Sequence, residues 1–522
     1  MSRASRVAVL NCPLWTHLTP SYTVALLGAQ ARARGFDVVF PELEVKFFHA
    51  VTAAEQERWE PINTTYWDRR EQTEEFYDKY AESFFVPQLE ALLAAGVDTF
   101  ALSVNNRALS FTRRLARTLK GLSPSAHLIV GGPTAFAAPE RLWEIEEVDA
   151  VCLGEGDLCF PDYLTHLREE GAPAEFPGFT VRRPDGSLAH GGPPEPPRQL
   201  GELPFPDYSG YDLSLYGEPH TLATSISRGC IQRCTYCAES PHFGRFRYRG
   251  GENLFSEIDH HFRTTGLPRI NLLLNDSVIN GNVEALESFA DHLLAARLPV
   301  TFNGMAVARD SLTRELLDKL KRAGCNSLSF GIESGSQQVL QLMNKRLQTP
   351  ESAGRVLCDA REAGIETTVF IIVGFPGETE REFYETVGFL RRNFDHIDRL
   401  MVNKLLLLPG SKLSENPAAF GLDPEAAGDQ FRTSDGSSTA EIRRLRQEML
   451  YLLFQEKMAL LQPLGGEGAN PVARLNDEKA QLLEQSRRFQ QDIISLKQKC
   501  HLLLGMLAEP GSGGAGAGRA AA

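Results

Sequence analysis

Three cysteines lie within eight residues of the segment SISRGCIQRCTYCAES, where Cys230, Cys234 and Cys237 form the pattern C-x3-C-x2-C. The remaining cysteines are dispersed, at positions 12, 152, 159, 325, 358 and 500. Thiolates are preferred ligands of soft metals and of iron–sulfur clusters. The intervals are too short for separate elements, so we expect one loop to wrap a single 4Fe–4S cluster. Three thiolates would leave the fourth iron open to a substrate or cofactor.

Two other interpretations of the cysteines stay open. His242 follows Cys237 by five residues, so a Cys3His zinc site is formally available. A structural zinc site is typical of small independent modules, whereas these cysteines follow a strand of a long βα repeat. A chance group of buried cysteines is the second alternative. Cys325 and Cys358 stand apart, and we expect both to be core residues.

Composition limits the class of protein. The chain has 522 residues with 54 Lys and Arg against 67 Asp and Glu, a net charge of −13, which argues against a nucleic-acid partner. The N-terminus lacks a secretory leader, and no apolar run reaches the ~20 residues of a membrane span. We therefore expect a cytoplasmic protein. Two basic segments flank the cysteines, SRGCIQRC and GRFRYRG, and are available to an anionic cofactor or substrate.

Strand and helix patterns alternate twice along the chain, which predicts an α/β protein. In residues 1–170 they predict a doubly wound parallel sheet with strands at Val7–Asn11, Asp37–Phe40, Thr99–Val104, His127–Gly132 and Ala150–Leu153. Thr73–Ala95 reads as one helix after an irregular polar insertion. Residues 171–220 are rich in proline and glycine, which is typical of a linker, with a short hairpin around RRPDGS.

The second alternation covers residues 221–413 and predicts a partial (β/α)6 barrel with its chemistry at the C-terminal rim. Its strands are expected at Thr221–Ser227, Ile270–Leu274, Val300–Gly304, Ser327–Ile332, Glu366–Gly374 and Arg399–Leu408. Residues 414–508 are expected to be mainly helical, with a break at Pro463–Pro471. Leu475, Leu482, Phe489, Leu496 and Leu503 recur every seven residues, which favours packing onto the barrel or a homodimer. Residues 509–522 have a disordered composition.

The segment CIQRCTYC, with Tyr236 before its last cysteine, resembles the signature of the radical S-adenosylmethionine (SAM) superfamily. The resemblance covers roughly Thr221–Leu413. It implies a 4Fe–4S cluster whose open iron binds the amino and carboxylate groups of SAM. It also implies an electron donor such as flavodoxin or ferredoxin, and cleavage of SAM to a 5′-deoxyadenosyl radical.

The same resemblance assigns SAM-binding positions to the ends of several strands. LNDSVINGN replaces the family's Gly-Gly-Glu-like turn, SFGIESGS follows the fourth strand, and VFIIVGFPGET resembles the adenine-side motif. The implied SAM-binding residues are Tyr236, Asn275, Asp276, Glu333, Ser334, Ile372, Gly374 and Glu378.

The glycine-bearing turns of the first sheet, joined to such a barrel, look like a cobalamin-binding domain. Small residues line the channel of the cobalamin tail in that class, and the matching positions are Ser103, Gly131, Gly132, Gly154 and Gly156. The Asp-x-His-x-x-Gly loop that supplies a cobalt ligand elsewhere is absent. His17 is the histidine nearest to that location, and a packing role for it is the alternative. A domain that has lost cobalamin also stays open.

The resemblance implies a methyltransferase in which SAM supplies both the radical and, through methylcobalamin, the methyl group for an unactivated carbon. The substrate class is a small molecule or a peptide. A cyclisation, rearrangement or C–C bond formation without methyl transfer is the alternative enzyme. A non-catalytic cobalamin or iron–sulfur sensor is the alternative from another class. A tRNA methylthiotransferase is disfavoured, since the chain has neither a further three-cysteine cluster nor a basic C-terminal module.

Overall fold

The computed structural model describes residues 6–423 and 428–461, and one compact unit, Met1–Phe454, contains both large sheets. Of the second unit, Gln455–Ala522, the structure describes only Gln455–Leu461, the end of a helix. Three predictions lie outside the described residues: the break at Pro463–Pro471, the homodimer through the heptad pattern, and the disorder of residues 509–522.

The first sheet is built from seven strands with helices on both faces. Its elements in chain order are β1 (Arg6–Asn11), α1 (Tyr22–Ala33), β2 (Asp37–Val39), α2 (Leu43–Ala50), α3 (Ala53–Gln56), α4 (Arg70–Tyr80), α5 (Val86–Ala94), β3 (Val97–Ser103), α6 (Leu109–Leu122), β4 (His127–Gly131), α7 (Pro133–Ala137), α8 (Pro139–Trp143), β5 (Ala150–Cys152), α9 (Gly156–Glu169), β6 (Phe179–Arg182) and β7 (Leu188–His190). The predicted α/β class is confirmed.

The strands pair in the order β2-β1-β3-β4-β5-β6-β7. The first five are parallel, as predicted, and β6 and β7 add an antiparallel hairpin at one edge. The segment from residue 171 is therefore not only a linker, because its hairpin belongs to the first sheet. The strand order reverses between β1 and β3, and in doubly wound sheets the ligand crevice lies outside the carboxyl ends of such strands.

The insertion between β2 and β3 is more ordered than its polar composition indicates. Phe47 on α2 packs against a set of aromatic rings that includes Phe76, Phe85 and Phe111. The helix predicted at Thr73–Ala95 is confirmed as a continuous helical stretch, in which a π-helical turn at Ala81–Phe85 lies between α4 and α5. The turn buries Phe84 and Phe85 against this aromatic group.

The second sheet has six parallel strands. The elements that follow the first sheet are β8 (Thr221–Thr224), β9 (Ser227–Arg228), α10 (Glu239–Phe243), β10 (Arg247–Tyr248), α11 (Gly251–Thr265), β11 (Ile270–Leu274), α12 (Val283–Ala296), β12 (Val300–Ala306), α13 (Arg314–Arg322), β13 (Cys325–Glu333), α14 (Gln337–Leu342), α15 (Pro350–Glu362), β14 (Glu366–Val373), α16 (Glu380–Arg392), β15 (Arg399–Lys404), α17 (Lys412–Glu415) and α18 (Ala440–Leu461).

These six strands lie in chain order, β8-β11-β12-β13-β14-β15, as six predicted βα steps require. Buried and partly exposed residues alternate along β11 and β14, since the helices cover only one face of the sheet. The first strand was predicted to run to Ser227, but β8 ends at Thr224. Ser227–Arg228 instead pairs with β10 in a separate two-stranded ladder. Between the two strands of this ladder lie residues 229–238, which contain the three cysteines and which we call the cysteine loop.

Membrane spans are absent from the described part of the chain, where every helix is too short or too polar to cross a bilayer.

A buried carboxyl group holds the loop that follows β1. Glu44 on α2 accepts hydrogen bonds from the backbone N–H groups of Leu14 and Trp15, at 3.0 and 2.7 Å, and from the indole of Trp59. Leu14 has a φ of 93°, so this turn is strained for a residue with a side chain. Burial raises the pKa of Glu44 to about 7.

We predict that Glu44→Gln reduces the loss of stability between pH 5 and pH 8. A carboxyl group whose folded-state pKa is raised contributes stability below its unfolded value, 4.5, and that contribution is lost as the pH rises through about 7. The loss amounts to roughly 3 kcal/mol in the wild type. Thermal midpoints at both pH values measure it, with the exposed Glu71→Gln as control. An equal pH dependence in wild type and Glu44→Gln would contradict the prediction.

Candidate functional site

Asp276 fixes the entry to the cysteine loop. It is buried at the end of β11, and its carboxylate accepts hydrogen bonds from the N–H groups of Ile226 and Ser227 and from the Ser227 hydroxyl, at 3.1, 2.5 and 2.5 Å. Burial raises the pKa of Asp276 to about 7 although these donors oppose the shift. Asp276 was predicted to bind SAM. In the structure its carboxylate instead holds the backbone at Ile226 and Ser227, which leads into the cysteine loop. The neighbouring Asn275 is exposed.

The middle of the cysteine loop is held by backbone contacts with two distant segments. Thr235 N–H donates to the carbonyl of Met343, and the Thr235 carbonyl accepts from the N–H of Leu413, both at 3.0 Å. The Asn344 amide donates to the carbonyl of Arg233 at 2.7 Å. These contacts tie the loop to the segments that follow α14 and β15.

The three cysteines fit the ligand set of an iron–sulfur cluster. Cys230, Cys234 and Cys237 are all partly exposed, unlike the buried Cys12 and Cys325. Burial raises the pKa of Cys230 and of Cys234. In residues 6–423 and 428–461 no three His, Cys, Asp or Glu side chains already converge on a single ion. A four-iron cluster is wider than one ion, so its three thiolates need not converge on one point.

A buried ion pair lies beside these thiols. Glu333 ends β13 with a φ of 66°, and its carboxylate is 3.3 Å from the ammonium group of Lys345. Burial alone would lower the pKa of Lys345, but Glu333 and the thiols of Cys234 and Cys230 raise it. Burial and Glu333 raise the pKa of Tyr236. Glu333 and Tyr236 were predicted to bind SAM, and the fold brings both next to the cysteines. Lys345 was not predicted.

Two further predicted SAM-binding residues have different surroundings. Ile372 packs with Tyr236 on the same apolar cluster, around Phe375 and Leu405. Ser334 is fully buried, and its hydroxyl lies 3.1 Å from that of Thr386 on α16. Ile372 is thus near the cysteine loop, whereas the Ser334 side chain closes the turn after β13.

Gly374 and Glu378 contact the C-terminal part of the unit. A Cβ at Gly374, whose φ is 82°, would lie 2.2 Å from the Arg443 side chain. The Glu378 carboxylate accepts from Gly374 N–H at 2.6 Å and from the Arg446 guanidinium at 2.8 Å. Burial raises the pKa of Glu378 to about 7 despite Arg446. Both residues, predicted to bind SAM, join β14 to α18.

The rim of the first sheet contains an unpartnered hydroxyl. Ser103 ends β3 at the reversal of strand order, and its Oγ is buried with no hydrogen-bond partner among the described residues. Gly132, with a φ of 92°, packs so closely that a Cβ there would lie 2.9 Å from Ser103 Oγ. A Cβ at Gly131 would lie 3.5 Å from the Cβ of Cys152. An orphaned hydroxyl in a ligand crevice fits a bound polar group such as the cobalamin tail.

The other predicted cobalamin positions face protein atoms. A Cβ at Gly154 would lie 2.9 Å from the ring of Pro194, and one at Gly156 would lie 3.3 Å from Leu27. The imidazole of His17 stacks on Phe48 with ring centroids 3.8 Å apart, and burial lowers its pKa. These contacts pack the rim of the sheet.

Four buried charges join that rim to the cysteine loop. Arg228 forms a fork with Asp157, at 2.6 and 2.9 Å, and contacts Glu155 at 2.7 Å. Arg247 contacts the second oxygen of Glu155 at 2.5 Å. The four side chains are at most 11% exposed. We call Glu155, Asp157, Arg228 and Arg247 the inter-sheet ion network.

The network corrects the interpretation of the two basic segments. Arg228 and Arg247 are bound to carboxylates of the first sheet, and the Arg249 guanidinium is bound to the buried Glu257 at 2.6 Å. These arginines are therefore not free for an anionic cofactor or substrate. The prediction that Cys358 is a core residue is wrong, because its side chain is partly exposed and its sulfur lies 3.5 Å from the Glu362 carboxylate. Cys325 is a core residue, as predicted.

Comparison with known proteins identifies the second sheet. The model of the Radical SAM superfamily matches residues 224–390, which confirms the recognition made from the cysteine spacing. An uncharacterised methyltransferase of Pyrococcus horikoshii is 25% identical over 335 residues, which cover 62% of this chain and 70% of that protein.

Two solved structures resemble most of the chain. One is the cobalamin-dependent SAM radical enzyme OxsB with aqua-cobalamin and SAM bound, with a TM-score of 0.64 and 15% identity over 93% of this chain and 71% of that one. The other is the radical SAM methyltransferase TsrM of Kitasatospora setae with cobalamin and a 4Fe–4S cluster bound, with a TM-score of 0.61 and 17% identity over 81% and 77%. At these identities the likeness confirms the fold.

We predict that Arg228→Gln lowers the free energy of unfolding by roughly 3–5 kcal/mol, because it leaves Asp157 buried without its counter-charge. The double variant Arg228→Gln/Asp157→Asn should recover part of that loss. Urea unfolding of the apo-protein measures both.

Arg198→Gln is the matched control, because its partner Glu195 forms an exposed pair, and the change should stay within about 0.5 kcal/mol. The prediction fails if Arg228→Gln costs no more than this control.

Proposed function

Residues 224–390 of this chain are a radical SAM domain, and from that premise we propose that the protein is a cobalamin-dependent radical SAM methyltransferase. Its substrate is a small molecule or a peptide, methylated at an unactivated carbon. The cofactors follow from the likeness to OxsB, which holds cobalamin and SAM, and to TsrM, which holds cobalamin and a 4Fe–4S cluster. The methyltransferase of Pyrococcus horikoshii supports the reaction class.

The inter-sheet ion network is the observation that carries the proposal. Arg228 lies two residues before Cys230, and Glu155 and Asp157 lie at the N-terminus of α9, which follows β5 at the ligand rim of the first sheet. A cluster held by the cysteine loop and a corrin held at that rim would therefore be neighbours. Methyl transfer assisted by a radical needs both at one substrate.

The residues of the chain have separate tasks in this reaction. When bound, the cluster supplies an electron that cleaves the sulfonium of SAM, and cobalamin supplies a methyl carrier. Cys230, Cys234 and Cys237 would hold the cluster, and Lys345 would place a buried positive charge beside their thiolates. Glu333, next to the cysteines, would offer a carboxylate to bound SAM. The reaction would need an external electron donor such as a flavodoxin or ferredoxin.

The substrate would lie against the face of the second sheet that the helices leave open. Beyond the ion pair of Glu366 and Arg399 at the start of β14 and β15, neighbouring strands present uncharged side chains on this face, including the paired Phe370 and Met401, and the pair Ser329 and Thr368. Met401, on the edge strand β15, is 45% exposed, so this face offers apolar surface to a bound molecule. Uncharged walls limit the side reactions that water would bring to a radical.

We predict that two SAM-dependent half-reactions can be measured without the substrate. Reduced protein loaded with cluster and cobalamin should form S-adenosylhomocysteine and transfer labelled methyl from SAM to the corrin fraction. It should also form 5′-deoxyadenosine, the product of radical cleavage. In full turnover the two products should appear in equal amounts, because one SAM supplies the methyl group and a second supplies the radical.

The triple variant Cys230→Ala/Cys234→Ala/Cys237→Ala should lose 5′-deoxyadenosine and keep methyl transfer to the corrin. A cyclase or rearrangement enzyme would instead form 5′-deoxyadenosine with no S-adenosylhomocysteine. A sensor would form neither. Either result overturns methyl transfer.

We predict that Ser103→Ala weakens cobalamin binding about two- to tenfold, the effect of losing one ordinary hydrogen bond. The variant should be as stable as the wild type, because the buried hydroxyl has no protein partner. Absorption titration with hydroxocobalamin and a thermal midpoint measure the two effects. The control is Ser125→Ala, an exposed residue that precedes β4 at the edge of the sheet away from the ligand rim. Unchanged affinity in Ser103→Ala would remove Ser103 from the site.

A further inference from the structure

Two cysteines outside the cluster loop are in direct contact. Cys152 ends β5 and Cys159 lies in the first turns of α9, with their sulfur atoms 3.7 Å apart. Within residues 6–423 and 428–461, this is the one sulfur–sulfur contact between cysteines. Both side chains are almost buried, with 7% and 9% of their residues' surface exposed. Neither contributes to the proposed reaction.

The surroundings keep these sulfur atoms together. A Cβ at Gly178 would lie 3.0 Å from Cys159 Sγ, and one at Gly156 would lie 3.6 Å from Cys152 Sγ. The thiols also face carbonyl oxygens of the loop between them, Gly154 for Cys152 and Glu155 for Cys159. The sulfurs thus have little room to move apart.

The two thiols are not equivalent. Either thiol can donate to the other across this contact, and the interaction lowers the pKa of Cys152 and raises the pKa of Cys159. In a thiol pair, the partner with the lowered pKa is the nucleophile, and the other resolves the first oxidation product. Cys152 therefore has the character of an attacking thiolate.

We propose that Cys152 and Cys159 are a redox-active pair that a peroxide converts into a reversible disulfide. The Cys152 thiolate attacks one oxygen of hydrogen peroxide, becomes a sulfenic acid and releases hydroxide, which takes up a proton to give water. The Cys159 thiol then displaces the sulfenic oxygen as a second water. In total, two thiols and one peroxide give one disulfide and two waters. A dithiol reductant reverses the step by exchange.

The disulfide would act on the inter-sheet ion network. A sulfur–sulfur bond is about 2.05 Å long, so the sulfurs would have to approach by less than 2 Å. The segment that they enclose runs from the end of β5 into the first turn of α9 and contains Glu155 and Asp157, the carboxylates that bind Arg228 and Arg247. Any shift of this segment changes ion pairs whose strength depends on close, buried geometry. Oxidation should therefore loosen the entry to the cysteine loop.

Peptide mapping tests the pair directly. Full-length, cluster-loaded protein is treated with one equivalent of hydrogen peroxide, and free thiols are alkylated before digestion. We expect a linked peptide containing Cys152 and Cys159, lighter by two hydrogens and cleaved by a dithiol, while Cys325 remains free. In Cys159→Ser, Cys152 should instead be trapped by dimedone as a sulfenic acid. The proposal is overturned if Cys152 and Cys159 stay alkylated when the partly exposed, single Cys358 is already oxidised.

Amide hydrogen exchange tests the consequence. Peptides covering residues 227–235 should exchange faster in peroxide-treated wild type than in Cys152→Ser/Cys159→Ser treated identically, because only the wild type can form the disulfide. This readout does not depend on methyl transfer. Equal exchange in the two proteins would overturn the link between the disulfide and the inter-sheet ion network.

Discussion

The inter-sheet ion network is the constraint on which the rest of the structure depends. Glu155 and Asp157 at the rim of the first sheet meet Arg228 and Arg247 on either side of the cysteine loop. Two positive and two negative charges balance, and the fork between Arg228 and Asp157 uses two parallel hydrogen bonds. Such a buried network adds little net stability over an apolar contact, but removing one member is costly. It therefore fixes one arrangement of the two sheets.

Other buried carboxylates act in the same way around the site. Asp276 holds the backbone that leads into the cysteine loop, and Glu378 holds β14 to Arg446 of α18. Glu44 holds the strained turn after β1. Glu333 differs, because its partner Lys345 is a cation next to the thiols. The chain thus uses most of its buried acids to fix loops and keeps one charged pair at the cysteines.

Local patterns predicted much of this. Apolar runs indicated five parallel strands of the first sheet and six of the second, and the spacing of the cysteines led us to expect that one loop holds a cluster. The sequence could not show that Arg228 meets Asp157, because the two are 71 positions apart and basic residues near cysteines read equally well as anion ligands. Lys345 stands in the polar stretch MNKRLQ, which gives no sign of burial. The π-helical turn at Ala81–Phe85 coincides with the burial of Phe84 and Phe85 against other aromatic rings, which local helix propensity does not indicate.

The central claim is that Arg228 sets the distance between a cluster on the cysteine loop and a corrin at the rim of the first sheet. Pulsed electron paramagnetic resonance of the reduced, doubly loaded protein measures the magnetic coupling between cob(II)alamin and the cluster. The account predicts one narrow coupling in the wild type and a broad distribution in Arg228→Gln, with Arg198→Gln like the wild type. An identical distribution in all three proteins, or no coupling in the wild type, would contradict it.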